Sequence, residues 1–355
     1  MPSLVKFQPP SSAAIIRACL VGLPLGLLLL GIVSVVLAGR GTAPKHGQTE
    51  AKMPTPPMRL DIDLATTVRR HVETLATRIG PRSSEEFENL EAARFYLLST
   101  MGPSNLGYST REQSYAIRHQ TFSNIEAELT GRRWPKEIIV VGAHYDSIST
   151  TPGADDNASG VAAMLALAEI FAGHPQGRTI RFVAFTNEEP PWFQSTDMGS
   201  LRYASELKAK GENVVAMIAL ESIGYFSDQP GSQKYPAPLD KLYPNVGNFV
   251  AVVGSPRSGP LVDFIYAAMD NGGVIPVEKG ILPPQTPGVG WSDHWSFWEK
   301  GYPAVMLTGT APFRNPYYHQ STDVPATIDF ERLARTTGAT HQALEALANT
   351  PKLPW

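Results

Sequence analysis

The 355-residue chain predicts an α/β fold, with a mostly parallel central sheet, helices on both faces, and a transmembrane helix ahead of it at the N-terminus. Two observations point to the sheet and a third to the span. Apolar runs alternate with stretches of helical spacing: Ile138 to Ala143, Ser159 to Ala172, Thr179 to Phe185, Leu201 to Lys210, then Val214 to Leu220. Strand, helix, strand alternation builds crossover units, whose strands lie parallel and whose sheet is buried on both sides. Several of these runs stop at a polar group, and such sheets bind ligands beyond the carboxyl ends of their strands. At the other end of the chain, Ala18 to Ala38 runs uncharged for about one bilayer thickness of helix, bracketed by Arg17 and Arg40.

The span reads as an uncleaved signal anchor. A cleaved signal peptide ending at Val36-Leu37-Ala38 is the alternative, but its apolar region would run only about 7 to 15 residues. Pro24 and the neighbouring glycines argue against a buried soluble helix. Lys6 and Arg17 on one side and Arg40, Lys45 and Lys52 on the other nearly balance the positive-inside rule. A single N-terminal span on an otherwise soluble domain serves export, so the domain is expected outside the cytoplasm, periplasmic or extracellular. Residues 1–38 are therefore tail and membrane anchor, 39–59 a tether rich in Pro, Gly, Thr and Lys, and 60–355 the folded domain.

Within that domain, Asp61 to Ile79 and Ser84 to Met101 carry helical spacing, the second opening on a serine and acidic first turn. Gln113 to Thr130 alternates like strands, with a hairpin placed around Thr121 to Asn124, and Arg132 to Lys136 leads into the strand that ends at His144. After the central alternation come a strand at Asn248 to Val253, a helix at Gly259 to Asp270, a strand at Ala304 to Leu307 and a last helix at Phe330 to Asn349. Ser227 to Tyr243 and Lys279 to Gly290 are rich in Pro and Gly and read as long loops, which are often functional.

Composition narrows the function classes. A hydrophobic content of 43% supplies a core, and a net charge of -3 lacks the basic excess of a nucleic-acid binder. Cys19 is the only cysteine, so no intramolecular disulfide forms.

The polar groups at strand ends, or in loops just beyond them, form a set: His144, Asp156, Glu188 with Glu189, Glu221 and His319. Two histidines with several carboxylates suit zinc, whereas magnesium leans on oxygen and water. Singly, such residues are commonplace; their recurrence after separate strands of one sheet is what lets them converge. Asp146, two residues past His144, reads as the group fixing that imidazole, because metal-bound rings donate their other nitrogen to a carboxylate or carbonyl.

With Ala143-His144-Tyr145-Asp146-Ser147, Gly153-Ala154-Asp155-Asp156-Asn157-Ala158-Ser159-Gly160, Asn187-Glu188-Glu189, Ser292-Asp293-His294, and His319 followed by Ser321-Thr322-Asp323, the sequence resembles the di-zinc aminopeptidase family. That family includes the secreted bacterial leucyl aminopeptidases and, more distantly, glutamate carboxypeptidase II and glutaminyl cyclase. The resemblance covers roughly Leu60 to Asn349. It implies two zinc ions per chain, bridged by Asp156, with His144 and Glu221 completing one site and Glu189 and His319 the other. It also chooses Asp156 over Asp155 as the bridge. Many family members carry aspartate where this chain has Glu221.

The resemblance further implies that Glu188 is the general base for a water shared by the metals, and that peptides are the substrates, cut at their N-terminal residue. Tyr318 is a candidate hydrogen-bond donor to the oxyanion, and Asp293 with His294, inside Trp291 to Trp298, a candidate wall of the site. The alternatives are cyclase-like acyl transfer, carboxypeptidase action, or a non-catalytic member of the fold. Cyclase relatives use one zinc, whereas His144 and Glu221 are both present here for a second.

Overall fold

Eight strands form the sheet: β1 Thr110–Ile117, β2 Gln120–Leu129, β3 Trp134–His144, β4 Arg178–Phe185, β5 Asn213–Glu221, β6 Val250–Gly254, β7 Val277–Ile281 and β8 Ala304–Thr308. They lie in the order β1-β2-β4-β3-β5-β8-β6-β7. The computed structural model describes residues 59–355, so the predicted membrane helix and the tether up to residue 58 lie outside the described residues. Among the described residues no helix is long and apolar enough to cross a membrane.

The sheet is mixed: of its seven strand pairs among the described residues four are parallel, β6 with β7 included, so the expected parallel centre is present and the flanks depart from it. Strands β4, β3, β5 and β8 pair in parallel, while β2 runs against both β1 and β4, and β6 runs against β8. Physical reasons are local. β1 and β2 are joined by a tight turn at Arg118-His119, which enforces an antiparallel pair, and the turn lies earlier than the predicted one. Between β5 and β6 the chain stays in loop and a short 3₁₀ turn, Leu239–Lys241, with no crossover helix to return it to the starting end of the sheet. A strand that begins where β5 stopped has to run the opposite way.

Helices are α1 Arg59–Glu73, α2 Phe87–Met101, α3 Gly160–Phe171, α4 Gly199–Ala209, α5 Gly259–Asp270, α6 His294–Glu299 and α7 Phe330–Asn349. They cover both faces, as predicted. Ile139, Val141, Ile180, Phe182, Ile218, Leu220 and Val305 pack with Val68 of α1, Leu165 of α3, Ile265 of α5 and Leu344 of α7. The alternate positions Ile138, Val140, Val183, Phe185, Met217 and Ala304 pack with Tyr203 and Leu207 of α4 and Phe297 of α6. A period of two along each strand thus divides its residues between two cores.

Two elements fall where no regular structure was expected. β7 occupies the start of Lys279 to Gly290, read as loop because five residues carrying Gly280 give a strand pattern little to show. α6 has six residues, too few for a helical period to register.

The fold carries an acid-sensitive histidine remote from the strand ends. His71 on α1 is 3% exposed, its Nδ1 lies 2.6 Å from the Tyr96 hydroxyl, and burial, with the Arg70 charge second, lowers its pKa to about 4. Since 6.5 is the ordinary value, the unfolded chain binds the proton first as pH falls. The neutral ring's contribution is complete above pH 6.5 and is lost as pH drops through about 4. The linkage is worth about 3 kcal/mol. His71→Phe should therefore narrow its stability deficit, or overtake wild type, between urea melts at pH 7 and pH 4.5; an unchanged difference would contradict a neutral buried ring.

Candidate metal centre

The strand ends bring their polar groups together. β3 ends on His144 and β5 on Glu221, while Glu188 and Glu189 follow β4 after one left-handed residue, Asn187 at φ 59°. Asparagine tolerates that region better than most side chains, and the resulting change of direction sends the following residues off the strand axis. Asp156 comes from the turn Ala154–Ser159 that opens α3, and His319 from the loop after β8, itself left-handed at φ 58°.

His144 Nε2 lies 3.3 Å from Asp156 Oδ1 and 3.3 Å from Glu221 Oε2. On the other side, His319 Nε2 lies 3.1 Å from Asp156 Oδ2 and 3.3 Å from Glu189 Oε2. One donor atom each from His144, Asp156 and Glu221 fits within 4.8 Å, and so does a second group of Asp156, Glu189 and His319. Asp156 is common to both. Glu188 Oε2 stands 3.9 Å from His144 Nε2, beside this cluster and outside both groups.

The residues fit a metal. Glu189 Oε1 and His319 Nε2 are buried and have no hydrogen-bond partner among the described residues, although carboxylate oxygens crowd the imidazole. Atoms that approach without aligning on each other point to a shared centre. Mixed imidazole and carboxylate donors suit zinc. Electrostatics agree. Burial alone would raise Asp156, but the close imidazoles of His144 and His319 hold its carboxyl far below the usual range. Burial, then the Asp156 charge, pushes Glu189 up to about 7. Burial, reinforced by Glu189, Glu221 and Asp293, raises Glu188 well above an ordinary carboxylate.

Asp155 and Asp156 are separated by their partners. The Asp155 carboxylate accepts from Gly224 N at 2.7 Å and Asn315 Nδ2 at 2.7 Å, so it is committed to the loop frame, while Asp156 faces the two histidines. Asp146 does more than orient His144. The ring's Nδ1 is nearer the Asp146 carbonyl, at 3.1 Å, than its carboxylate, at 3.5 Å. That carboxylate accepts instead from Glu188 N at 3.2 Å and Glu189 N at 3.1 Å.

Asp323 repeats the device, with its two oxygens accepting from Asp155 N at 2.9 Å and Asp156 N at 3.1 Å. Its carboxyl is raised to about 8 by burial and by Asp155. Each aspartate thus holds a consecutive pair of amides, one pair on either side of the cluster. Asn157 completes the frame: Nδ2 donates to Leu220 O at 2.8 Å, and Oδ1 accepts from Ser222 N at 3.1 Å, tying the Asp156 turn to the end of β5. Glu221 is steadied by the hydroxyls of Ser292 and Ser222, each at 2.8 Å. Sequence reasoning assigned no role to Asp323, Asn157 or Ser292. Their only signal was membership of the quoted motifs.

Tyr318 stacks on His319, ring centroids 3.8 Å apart, and burial, with the charges of Asp156 and Glu189 next, raises its hydroxyl. Asp293 is wholly buried and raised to about 7 by burial, with Glu221 and Asp146 adding to the rise. His294 Nε2 donates to Val289 O, 2.7 Å away, and the ring meets Trp298 edge-on, so its contacts are structural.

A cavity of about 100 Å³ is lined by Glu221 and Tyr318 of this site. Its lining is largely apolar, with Ala251, Val253 and Met306 beside the aromatic rings of Phe249, Trp291 and Phe313. Both long loops singled out in the sequence line it.

Comparison with known proteins gives a family. The profile of peptidase family M28 matches residues 124–344. The uncharacterized protein YfbL of Escherichia coli is 36% identical over 277 residues, covering 76% of this chain and 84% of that protein. Aminopeptidase YwaD of Bacillus subtilis is 27% identical over 249 residues, covering 66% of this chain but only 49% of its own length. Among solved structures, BSAP, a zinc aminopeptidase from Bacillus subtilis, superposes with TM-score 0.63 at 16% identity over 81% of this chain and 96% of its own. Fimbriiglobus ruber glutaminyl cyclase does so with TM-score 0.60 at 20% identity, over 84% of this chain and 99% of its own. At such identities the two structures share the fold and do not separate the two chemistries.

Proposed function

This chain belongs to peptidase family M28, and on that footing we propose that it is an aminopeptidase holding two zinc ions, which hydrolyses N-terminal residues from peptides with Glu188 as general base. The observation that carries the reading is the pair of donor groups sharing Asp156, with an uncommitted carboxylate beside them. In it, His144, Asp156 and Glu221 hold one ion, and Asp156, Glu189 and His319 the other. When bound, zinc supplies Lewis-acid polarisation of the scissile carbonyl and a lowered pKa for the attacking water.

The chain's own groups do the rest. Glu188 accepts the water's proton and returns it to the departing amine. The Tyr318 hydroxyl donates to the carbonyl oxygen as charge builds there. Asp146 and Asp323, each clamping two amides, keep Glu188, Glu189 and Asp156 from shifting as charge moves. Metal analysis of purified protein and release of chromophore from aminoacyl substrates, with and without chelator, test the whole. Two zinc per chain with chelator-sensitive cleavage is the expected result; one zinc, with ammonia released from an N-terminal glutamine peptide, would favour the cyclase reading.

The cavity beside Glu221 takes the side chain of the residue removed. Its aromatic and aliphatic lining favours a large apolar side chain. Ala251 lines it and is 6% exposed. Ala251→Phe should fill the space and lower kcat/KM for leucyl or phenylalanyl substrates by about 10- to 100-fold relative to alanyl ones. A ratio measured within one variant is insensitive to its active fraction, and an unaltered ratio would place the side chain elsewhere.

The uncharged run from Ala18 to Ala38 supports the further proposal of a membrane anchor with the domain outside the cytoplasm.

A further inference from the structure

Arg82 lies between α1 and α2, outside the region matched by the family profile, and has no exposed surface. Each hydrogen bond from its guanidinium goes to a main-chain carbonyl. Nε donates to Tyr145 O at 2.8 Å; Nη1 to Leu75 O at 3.2 Å, Gly80 O at 3.1 Å and Pro152 O at 2.5 Å; Nη2 to Gly153 O at 3.0 Å. Tyr145 follows His144, and Gly153 begins the turn that carries Asp156. A single side chain therefore grips both ends of the loop that separates two metal-site residues, and fastens it to the helical turn Thr74–Ile79, capped by Gly80, that continues the first helix.

The joint is close-fitting on both sides. Gly153 has φ +60°, and a Cβ there would stand 3.0 Å from Arg82 Nη2 and 2.3 Å from Asp156 O. The Arg82 amide also donates to Ser147 Oγ at 3.0 Å, and its carbonyl accepts from Ser147 N at 3.3 Å. A rigid fork of five donors can span these carbonyls; an ammonium, with three donors on one nitrogen, cannot.

We propose that Arg82 is a positioning residue for the metal centre, fixing the separation of His144 from Asp156 before a cation arrives, and that its grip outweighs its charge in setting metal affinity. The inference rests on the zinc reading of the site. The two effects have opposite signs. Burial lowers the guanidinium to about 10, against the pull of Asp146, Asp323, Asp156 and Glu189, so it remains charged at neutral pH and repels a cation nearby. Removing the charge alone would tighten zinc binding, whereas releasing the loop weakens it.

The test compares zinc affinity, by chelator competition, and thermal unfolding of the metal-free protein, for full-length wild type, Arg82→Lys, Arg82→Met and a control, Arg178→Lys. Arg178 is equally secluded, 2% exposed, and bonds Leu347 O at 2.9 Å and Thr350 O at 2.6 Å, but at the opposite end of β4 from the site. Both Arg82 variants should bind zinc about 10- to 100-fold more weakly, as other supporting residues of metal sites do. Arg178→Lys should lose thermal stability and keep wild-type affinity. Wild-type affinity in Arg82→Lys, tighter binding in Arg82→Met, or an equal loss in Arg178→Lys would overturn the proposal. If neither Arg82 variant folds, Ser147→Ala cuts the same joint more gently: weakened affinity supports the proposal and unchanged affinity overturns it. A wild-type protein that binds no zinc removes the metal centre and this inference with it.

Discussion

Glu188→Gln is expected to retain wild-type zinc content and to lose peptide hydrolysis by roughly 10²- to 10⁴-fold. The amide keeps the shape of the carboxylate, and Glu188 belongs to neither donor group, so the metal-site residues are left in place. What disappears is the only function ascribed to this side chain, the capacity to take a proton and give it back. Its surroundings suit that proton transfer, because burial, with Glu189, Glu221 and Asp293, raises its proton affinity well above that of a surface glutamate. The loss should fall on kcat with KM little changed, because the proton moves only in the transition state. Steady-state kinetics alongside metal analysis decide it, and full activity in the metal-loaded variant would remove Glu188 from the mechanism.

Asp156→Asn is expected to cost both zinc ions and all activity, whereas Asp155→Asn should keep the metals and lose about 1 to 3 kcal/mol of stability. The two residues are adjacent, and both are almost wholly buried. Their oxygens have different company. Asp156 is 3.3 Å and 3.1 Å from two imidazole nitrogens, while Asp155 accepts from Gly224, Ser159 and Asn315. Metal content measured on both variants, with urea melts of the apo proteins, separates the roles; a metal-free Asp155→Asn beside a metal-loaded Asp156→Asn would reverse the assignment.

Much of the site was legible because its signals are local. Each central strand is an apolar run that stops at or just before a polar residue, and the residue types at those ends are donors for a borderline-soft cation. The long helices were legible for the same reason, α5 and α7 within their observed limits. The frame was not. Asp146 meets Glu188 N across 42 residues, and Asp323 meets Asp156 N across 167, separations over which no sequence period runs. Arg82 was invisible in the same way, since its partners are carbonyls, which every residue possesses. Strands β6 and β7, five residues each at one side of the sheet, lacked the length to state a direction.

The order of residues thus dictates the kinds of donor and the strand ends that carry them, because hydrophobic alternation and its interruption are properties of chain neighbours. Folding in three dimensions settles which of two adjacent aspartates faces the histidines, which way the outer strands run, and how the loops are held. Those outcomes depend on hydrogen bonds between distant segments, and a partner reached through folding leaves no mark on the residues beside it.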